Sequence, residues 1–551
     1  MTLGVMLDQD RVDAMAAAGL WPDRVITDYL DDAIKDRPDQ VAIVDHNSTT
    51  GRRTTLSYRQ LERLSRRIAL GLAANGIERG DVVACQLPNW WQVTAVYLAC
   101  VRIGAITNVL MPIFRARELS FMLAFAKTKA FVIPREYRGF DYAAMVGEFR
   151  ADLPDLKAVY VIGGHGPDSF EAALIDRRWE DEMDADRLFA ERQSRPNDLV
   201  ELNYTSGTTG QPKGVLHTSN TLIGGLVPYI ERLRMTGRDV IHMASPLAHR
   251  TGFIYGVNMP IMLGAKAVYQ DIWDAAVAAR LIEDERVTFT MASTPFLSDL
   301  AGTDALDRYD TSSLRVFLSA GAPIPRVLVQ TAKQRLGAAI LSGWGMTENA
   351  CVTTTHLDDP PEKAFGTDGD ALPGMAVRVV DEHGAPLPPG EEGDLQVRGQ
   401  SNFVGYLNKP DLYNTDADGW FQTGDRARMD GDGYIRITAR SKDIIIRGGE
   451  NVPVVEVEEL LYRHPAVQDA AIVGVPDPRL GERGCAFVTF VDGQSFDFQA
   501  MVAYLEQHKM AKNYLPERLE VLDEMPRTPS GKIQKFRLRE MAQTFAADNG
   551  D

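Results

Sequence analysis

The sequence predicts an α/β protein: a large N-terminal domain with mostly parallel sheets, residues 1–440, and a smaller α+β C-terminal domain, residues 441–551. Three observations lead there. Strand-length apolar runs alternate with segments of helical period, the pattern of buried parallel strands under crossover helices. Between about residues 370 and 440 the pattern changes to short strands separated by turn residues, a small barrel-like β subdomain. After Tyr434-Ile435-Arg436-Ile437-Thr438 the composition shifts again, and roughly one hundred further residues with their own strands and helices suffice for a separate domain.

Taken in order, Ser57-Tyr58-Arg59-Gln60 has the form of a capping box, followed by Leu61, Leu64, Ile68 and Leu72 at helical spacing and an Asn75-Gly76 stop. Residues 81–87 read as a strand, Pro88-Asn89 as a turn, and residues 91–103 as an apolar helix ended by Gly104. Strands follow at 130–133 and 158–162, while the charged stretch 163–197 reads as a surface excursion. Residues 199–204 form another strand, and a second βα series runs from 240–243 to 314–318. Val377-Arg378-Val379-Val380, the turn residues Asp381 to Gly384, and 393–398 make hairpin chemistry. Beyond 441, strands are expected at 470–473 and 486–490 and helices at 455–462 and 498–507.

Composition removes several function classes. Hydrophobic residues make up 45% and charged residues 25%, as in ordinary soluble domains. A net charge of −17 and a pI near 5.1 speak against a nucleic-acid partner. Any phosphate chemistry must then use local basic groups and backbone amides. Cys85, Cys100, Cys351 and Cys485 form no C-x-x-C pair, so they read as small buried side chains rather than zinc ligands or a disulfide framework. Asp8, Asp10, Arg11 and Asp13 stand where a signal peptide needs an apolar core, and no apolar run reaches membrane-spanning length. The expectation is a reduced, soluble, cytoplasmic protein with no membrane insertion.

The strand at 199–204 leads into Thr205-Ser206-Gly207-Thr208-Thr209-Gly210-Gln211-Pro212-Lys213-Gly214. Glycines let backbone N–H groups turn toward an anion, the hydroxyls add donors, and Lys213 supplies a point charge. A Walker A loop would need Gly-Lys-Ser/Thr five residues after its first glycine; counting from Gly207, that place holds Pro212, so this is a different phosphate cradle or a plain surface connection. Other stretches narrow the choice. Gly343-Trp344-Gly345-Met346-Thr347-Glu348 groups an aromatic, a hydroxyl and a carboxylate; Trp420-Phe421-Gln422-Thr423-Gly424-Asp425 places a carboxylate after a glycine turn. Arg440-Ser441-Lys442-Asp443 precedes Arg447-Gly448-Gly449-Glu450-Asn451, His249 stands in Pro246-Leu247-Ala248-His249-Arg250-Thr251-Gly252, and Pro526-Arg527-Thr528-Pro529-Ser530-Gly531-Lys532 lies near the end. Singly each has a bland meaning: Asp425 a turn cap, Trp344 core, Lys532 a solvated charge.

Together, in this order, they resemble the acyl-adenylate-forming superfamily of acyl- and aryl-CoA synthetases, luciferases and peptide-synthetase adenylation domains, over roughly residues 28–539. The resemblance implies that Thr205, Ser206, Gly207, Thr208, Thr209 and Lys213 hold the β- and γ-phosphates of ATP. It implies that Trp344 packs on adenine, Thr347 contacts the α-phosphate, and Asp425 with Arg440 holds the ribose. Glu348, with Thr205, is implied on the Mg²⁺ side, where a hard cation takes few carboxylates plus phosphate oxygens. Lys532 resembles the mobile lysine that neutralises charge as the carboxylate attacks the α-phosphate. Lys442 stands at the family's hinge of a mobile C-terminal domain, and rotation would bring Gly448 and Gly449 to a narrow channel for coenzyme A.

For the acid, the resemblance implies a pocket lined by His249, Gly256, Ala320, Gly321, Ala322, Gly343, Gly345 and Met346, with His249 also counted among the catalytic residues beside Lys532, Glu348 and Thr347. No acidic residue flanks His249 to pair with an amino-acid amine. Gly345 stands where acetate-activating relatives place a pocket-closing Trp, which implies a deeper pocket. Residues 246–257, Gln270-Asp271-Ile272-Trp273 and 446–451 resemble the branch of cyclohexanecarboxylate–CoA ligases and bacterial short- and medium-chain fatty acyl-CoA synthetases. The expected activity is an ATP-dependent carboxylic acid–CoA ligase, with cyclohexanecarboxylate or a related alicyclic acid as the first choice of substrate and a short- or medium-chain fatty acid as the alternative. Its rival is an acyl-AMP ligase that loads a carrier protein, and a regulator without catalysis is the remaining class. Lys532 also resembles a site modified by a lysine acetyltransferase, which would remove its charge; the sequence leaves a homodimer open.

Overall fold

A computed structural model describes residues 3–205, 212–321, 324, 326–440, 445–447, 450–477, 480–508, 510–528 and 531–547. Among these residues the largest sheet has nine strands in the order Asp370–Ala371, Ala350–Thr354, Ala339–Met346, Val316–Ala320, Phe289–Ala292, Val240–Met243, Lys266–Gln270, Val41–Asn47 and Arg52–Ser57. Its centre is parallel, from Ala339–Met346 through Val41–Asn47, and its two edges are antiparallel. A second sheet orders Lys213–Thr218, Leu199–Thr205, Ile106–Val109, Val82–Cys85, Ala130–Pro134 and Ala158–Ile162, parallel except at the Lys213 edge.

Local chemistry accounts for the helices that join these sheets. Helix Tyr58–Ala74 starts at a reciprocal cap: Gln60 N donates to Ser57 Oγ and Ser57 N donates to Gln60 Oε1 at 2.8 Å. Such a cap is worth about 1 kcal/mol. Helix Trp91–Ile103 is predominantly apolar, with Arg102 paired to Asp31, and all residues from Gln92 onward are buried because it lies between the two sheets, touching strands of both. It ends at Gly104 in the left-handed conformation, φ 71°. Just before it, Asn89 Nδ2 donates to the carbonyls of Ser245 and Gln270, tying its entry to the large sheet.

Residues 163–197 correct the expectation of a surface excursion. They contain the helix Ala185–Arg192, and Phe170, Leu174, Trp179 and Phe189 close over the core. Their apolar residues come in runs of at most four, such as Ala172 to Ile175, separated by charges, too short to betray the burial. The β-rich region is a four-stranded antiparallel sheet, Met375–Val380, Glu392–Gly399, Phe421–Met429 and Ile435–Arg440 in that order; the described pairings form an open path rather than a closed ring.

In the C-terminal part, a long hairpin of Val467–Asp477 and Gly481–Phe490 extends well past the two short runs expected, because Gly474, Arg483 and Glu482 keep pairing where the apolar pattern has stopped. Helices Val454–Tyr462, Phe498–Gln507 and Lys535–Ala547 belong to the same part. Two apolar clusters there use residues 445–542 only, while the clusters of the preceding part use none beyond 437. No helix of the described residues is long and apolar enough to cross a membrane. All four cysteines are buried and free, and burial pushes the Cys100 and Cys351 thiols up to about 12.

Candidate functional site

The candidate residues gather at the carboxyl ends of the central parallel strands. His249 follows Val240–Met243, Ser293 follows Phe289–Ala292, Gly321 follows Val316–Ala320, and Thr347 and Glu348 follow Ala339–Met346. In an open α/β sheet this edge is where ligands bind, because the loops there are free to vary while the strands hold them rigidly.

One end of the site is built from side chains that hold one another. Ala339–Met346 pairs with Ala350–Thr354, and the register shifts between Trp344 and Gly345. The bulge re-aims the strand before its turn. The turn closes as Asn349 Oδ1 accepts from Met346 N at 3.1 Å, leaving Thr347 and Glu348 at its tip. Trp344 Nε1 donates to Asp425 Oδ2 at 3.0 Å; the two residues are 8% and 2% exposed. Asp425 sits opposite Arg440 across adjacent strands, and the Arg440 side chain lies outside the described residues. Glu348 is buried and accepts from Tyr406 OH at 2.8 Å. Burial, and then that carboxylate, push the Tyr406 phenol far up, so it stays a donor.

The backbone explains how these groups meet. Phe403 N donates to Glu348 O, Leu216 N to Gly405 O and Leu407 N to Gly214 O, so the segment 403–407 stitches the turn to the strand Lys213–Thr218. Thr205 and Lys213 lie opposite each other at the mouth of their hairpin. Lys213 Nζ is 5.2 Å from the centroid of the Tyr406 ring. Ser206, Gly207, Thr208 and Thr209, between them, lie outside the described residues. His217 Nε2 donates to Thr347 O at 3.0 Å while its Nδ1 accepts from Thr221 Oγ1. Burial, and then Arg250, hold this ring well below its ordinary pKa, so it is neutral.

At the other end, His249 is half-buried and its Nδ1 accepts from Thr251 N at 3.4 Å. Burial, then Lys532, then Arg250 bring its pKa down to about 3. Its neighbour Arg250 pairs with Glu201 at 2.7 Å inside the protein, and Asn203 Nδ2 donates to Ala248 O, so the His249 segment is anchored to the strand that enters the phosphate loop. Lys532 arrives from the C-terminal part: a Cβ built on Gly321 would meet its Cε at 2.8 Å and its Nζ at 3.4 Å. The structure therefore brings Lys532, Gly321 and His249 together. Ala320 pairs with Gly343, and Met346 is half-buried. Ala322, Lys442, Gly448 and Gly449 lie outside the described residues.

The glycines here correct the argument from Gly345 to a deeper pocket. A Cβ on Gly345 would lie 1.7 Å from Ala350 O, so the missing side chain makes room for the hairpin partner. A Cβ on Gly256 would meet Met243 Cγ at 2.7 Å, and one on Gly343 would meet Thr353 O at 3.0 Å. Their side-chain directions are filled by protein. The motifs also did not reveal Tyr406, His217 or the Glu201–Arg250 pair. Only the alternation of Glu201 and Asn203 with apolar neighbours, charge and amide on a buried strand, signalled that something faces them.

Comparison with known proteins bears on this arrangement. The model of the AMP-binding enzyme family matches residues 30–407, and that of the AMP-binding enzyme C-terminal domain matches residues 456–532. The chain is 36% identical over 542 residues to a medium-chain fatty-acid–CoA ligase of Escherichia coli (strain K12), covering 98% of this chain and 94% of that one. It is 33% identical over 535 residues to a 2,3-dihydroxybenzoate-AMP ligase of Bacillus subtilis (strain 168), covering 95% and 94%. ATP-bound MatB from Rhodopseudomonas palustris superposes with a TM-score of 0.82 at 27% identity, covering 95% of this chain and 100% of that one. The apo form of MatB superposes with a TM-score of 0.71 at 27% identity, covering 95% and 99%.

Proposed function

The chain belongs to the AMP-binding enzyme family and is an AMP-forming acid–thiol ligase of the acyl-CoA synthetase kind, and from that premise we propose that it activates a medium-chain or alicyclic carboxylic acid, such as octanoate or cyclohexanecarboxylate, for transfer to coenzyme A. The observation that carries the reading is the placement of Lys532 beside Gly321 and His249. The acid has to lie where its carboxylate meets both the lysine and the α-phosphate. A neutral His249 and the lack of an acidic side chain in Leu247-Ala248-His249-Arg250 disfavour an amine-bearing acid. The medium-chain relative supports an aliphatic one.

In this reading Trp344 gives adenine its apolar face and Asp425, already oriented by the Trp344 N–H, accepts from the ribose hydroxyls. Thr205 and Lys213 frame the leaving pyrophosphate. A carboxylate attacking a polyanionic phosphate is repelled, and Lys532 offsets that charge in the transition state. Products are acyl-AMP and pyrophosphate; a thiol then displaces AMP. Mg²⁺ fits the donor set: Glu348 offers a buried carboxylate held in place by Tyr406, and no cluster of three potential protein ligands occurs among the described residues, so the ion would draw its other oxygens from phosphate and water. Bound there, it would screen the phosphate charge.

The thioester step needs a second arrangement. With a domain boundary at 440/441 and Lys442 as hinge, rotation would withdraw Lys532 and bring Gly448 and Gly449 forward to admit the pantetheine arm. The higher superposition on ATP-bound than on apo MatB supports the view that the Lys532-in arrangement is the adenylating one. Acetylation of Lys532 would then block the first step alone.

CoA-dependent AMP release across a panel of acids tests the substrate. Fastest turnover with octanoate or cyclohexanecarboxylate is expected, and a preference for benzoate or palmitate would contradict it. The 2,3-dihydroxybenzoate-AMP ligase relative, named for an adenylate and not for a CoA thioester, leaves room for a second reading, an acyl-AMP ligase whose acyl group goes to a carrier-protein thiol. Octanoyl transfer to holo acyl carrier protein but not to free CoA would establish that alternative.

A further inference from the structure

The Lys532 turn is shaped within the C-terminal part before it meets anything else. Thr528 N donates to Lys532 O at 2.7 Å, Gly531 N to Thr528 O at 2.8 Å, and Lys532 N to Thr528 Oγ1 at 3.0 Å. Arg527 braces this turn from behind. Its Nη1 donates to Gly531 O at 2.6 Å, and its Nη2 pairs with Asp469 on the strand Val467–Asp477. One guanidinium thus ties the turn to the hairpin that forms the backbone of its domain.

On the facing side stands the start of helix Thr294–Gly302. A Cβ on Gly531 would lie 2.5 Å from Ser293 Oγ and 3.1 Å from Phe296 Cε2, and Gly531 has φ +83°, a conformation unfavourable to side chains. Phe296 is 5% exposed and packs at a tilt against Trp273, ring centroids 4.6 Å apart, and Trp273 Nε1 donates to Asp299 Oδ2 at 2.8 Å. Asp299 in turn feels attraction from Arg527 and repulsion from Asp469. Ser293 and Gly321 follow two adjacent parallel strands, paired through Ala292 and Ser319. The turn straddles these two strand ends, with Gly531 against Ser293 and Lys532 against Gly321.

We propose that Ser293 and Phe296 form the seat that places the Lys532 turn for adenylation, with Gly531 as the contact point and Arg527 as the positioning residue that keeps the turn in shape. The proposal rests on Lys532 serving the adenylation step. A seat of this kind explains how a lysine carried by a separate domain reaches its place with the accuracy that chemistry needs, since a misplacement of about 1 Å can cost on the order of 10²-fold. It also confines Arg527 and Gly531 to one half-reaction: once the domain turns away, neither touches the seat.

The test measures two half-reactions in the full chain, octanoate-dependent ATP–pyrophosphate exchange and thioester formation from supplied octanoyl-adenylate. Gly531→Ala should lose on the order of 10²-fold in exchange and keep thioester formation. Arg527→Met should lose about tenfold in exchange alone, because the carbonyl tie contributes to positioning and not to charge at the reacting atoms. Ser293→Gly placed in the Gly531→Ala background removes the clashing hydroxyl and should recover part of the exchange, an effect that general destabilisation cannot produce. Equal loss of both half-reactions, unchanged exchange in Gly531→Ala, or no recovery in the double variant would overturn the seat. Lys532→Ala separates this from the parent reading. If it keeps exchange, the role of Lys532 fails; if it loses exchange while Gly531→Ala does not, only the seat fails.

Discussion

The two ends of the site are built on different principles. At the proposed nucleotide end, Trp344 donates to Asp425 and Tyr406 donates to Glu348, so each carboxylate is oriented by a specific hydrogen bond. At the acyl end, Gly256, Gly343 and Gly345 have their side-chain directions filled by Met243, Thr353 and Ala350. The first end is specified by residue chemistry and the second by packing. Residue type therefore marks hydrogen-bonded pairs at one end and close approach of the chain at the other. The absence of side chains at these glycines makes room for neighbouring chain rather than for open pocket space.

The largest expected effect is at Lys532, where both ends meet. Lys532→Ala should reduce ATP–pyrophosphate exchange by about 10²–10³-fold while thioester formation from supplied octanoyl-adenylate persists. Loss of both steps together would mean that the nucleotide and acyl ends do not share this residue as described. Next is the chemical specificity of the nucleotide end. Glu348→Gln should cost more in exchange rate than Tyr406→Phe, which removes only the hydrogen bond that orients the carboxylate, worth about 1.5–3 kcal/mol for a charged partner. Equal effects would show that Glu348 works only through Tyr406.

Gly345→Ala probes the packing end. With its Cβ directed at Ala350 O, the variant should lower the thermal midpoint by several degrees, from a loss of roughly 2–3 kcal/mol, and leave the ranking of acids unchanged. A shift of preference toward shorter acids without loss of stability would restore Gly345 as a pocket-opening residue. The smallest effect concerns His249. The folded chain keeps it neutral down to about 3, whereas the unfolded chain binds a proton near the ordinary histidine value of about 6.5. Its contribution to stability is thus intact above about pH 6.5 and is lost as pH falls toward 3. Urea unfolding of His249→Gln should show an acid limb shallower by up to one proton, and an unchanged slope would mean that His249 is not held neutral.

Much of the fold was legible because its signals are local. The reciprocal cap of Ser57 and Gln60 and the helix Trp91–Ile103 with its Gly104 stop need only neighbouring residues. The strand Leu199–Thr205 could be read from its alternation, whereas the strand Lys213–Thr218 that returns along it was not expected. What escaped depends on partners far apart in the chain. Tyr406 carries no local sign of the Glu348 it serves, and Phe170 and Trp179 are buried by tertiary contacts amid a charged stretch. The same applies to Gly345, where a turn partner five residues on, not a ligand, excludes a side chain. The family resemblance supplied residue roles that no period or spacing could, and it was weakest where packing decides.

The central claim is that the carboxyl ends of the large sheet and Lys532 from the C-terminal part form one adenylating site. A crystal structure with a non-hydrolysable acyl-adenylate analogue tests it directly. The account predicts adenine against Trp344, ribose hydroxyls on Asp425, Lys532 at the acyl-phosphate oxygens and the acyl chain beside His249. An adenylate bound with Lys532 and His249 on opposite sides of separate cavities, or with the Trp344–Asp425 bond replaced by other contacts to the nucleotide, would contradict it.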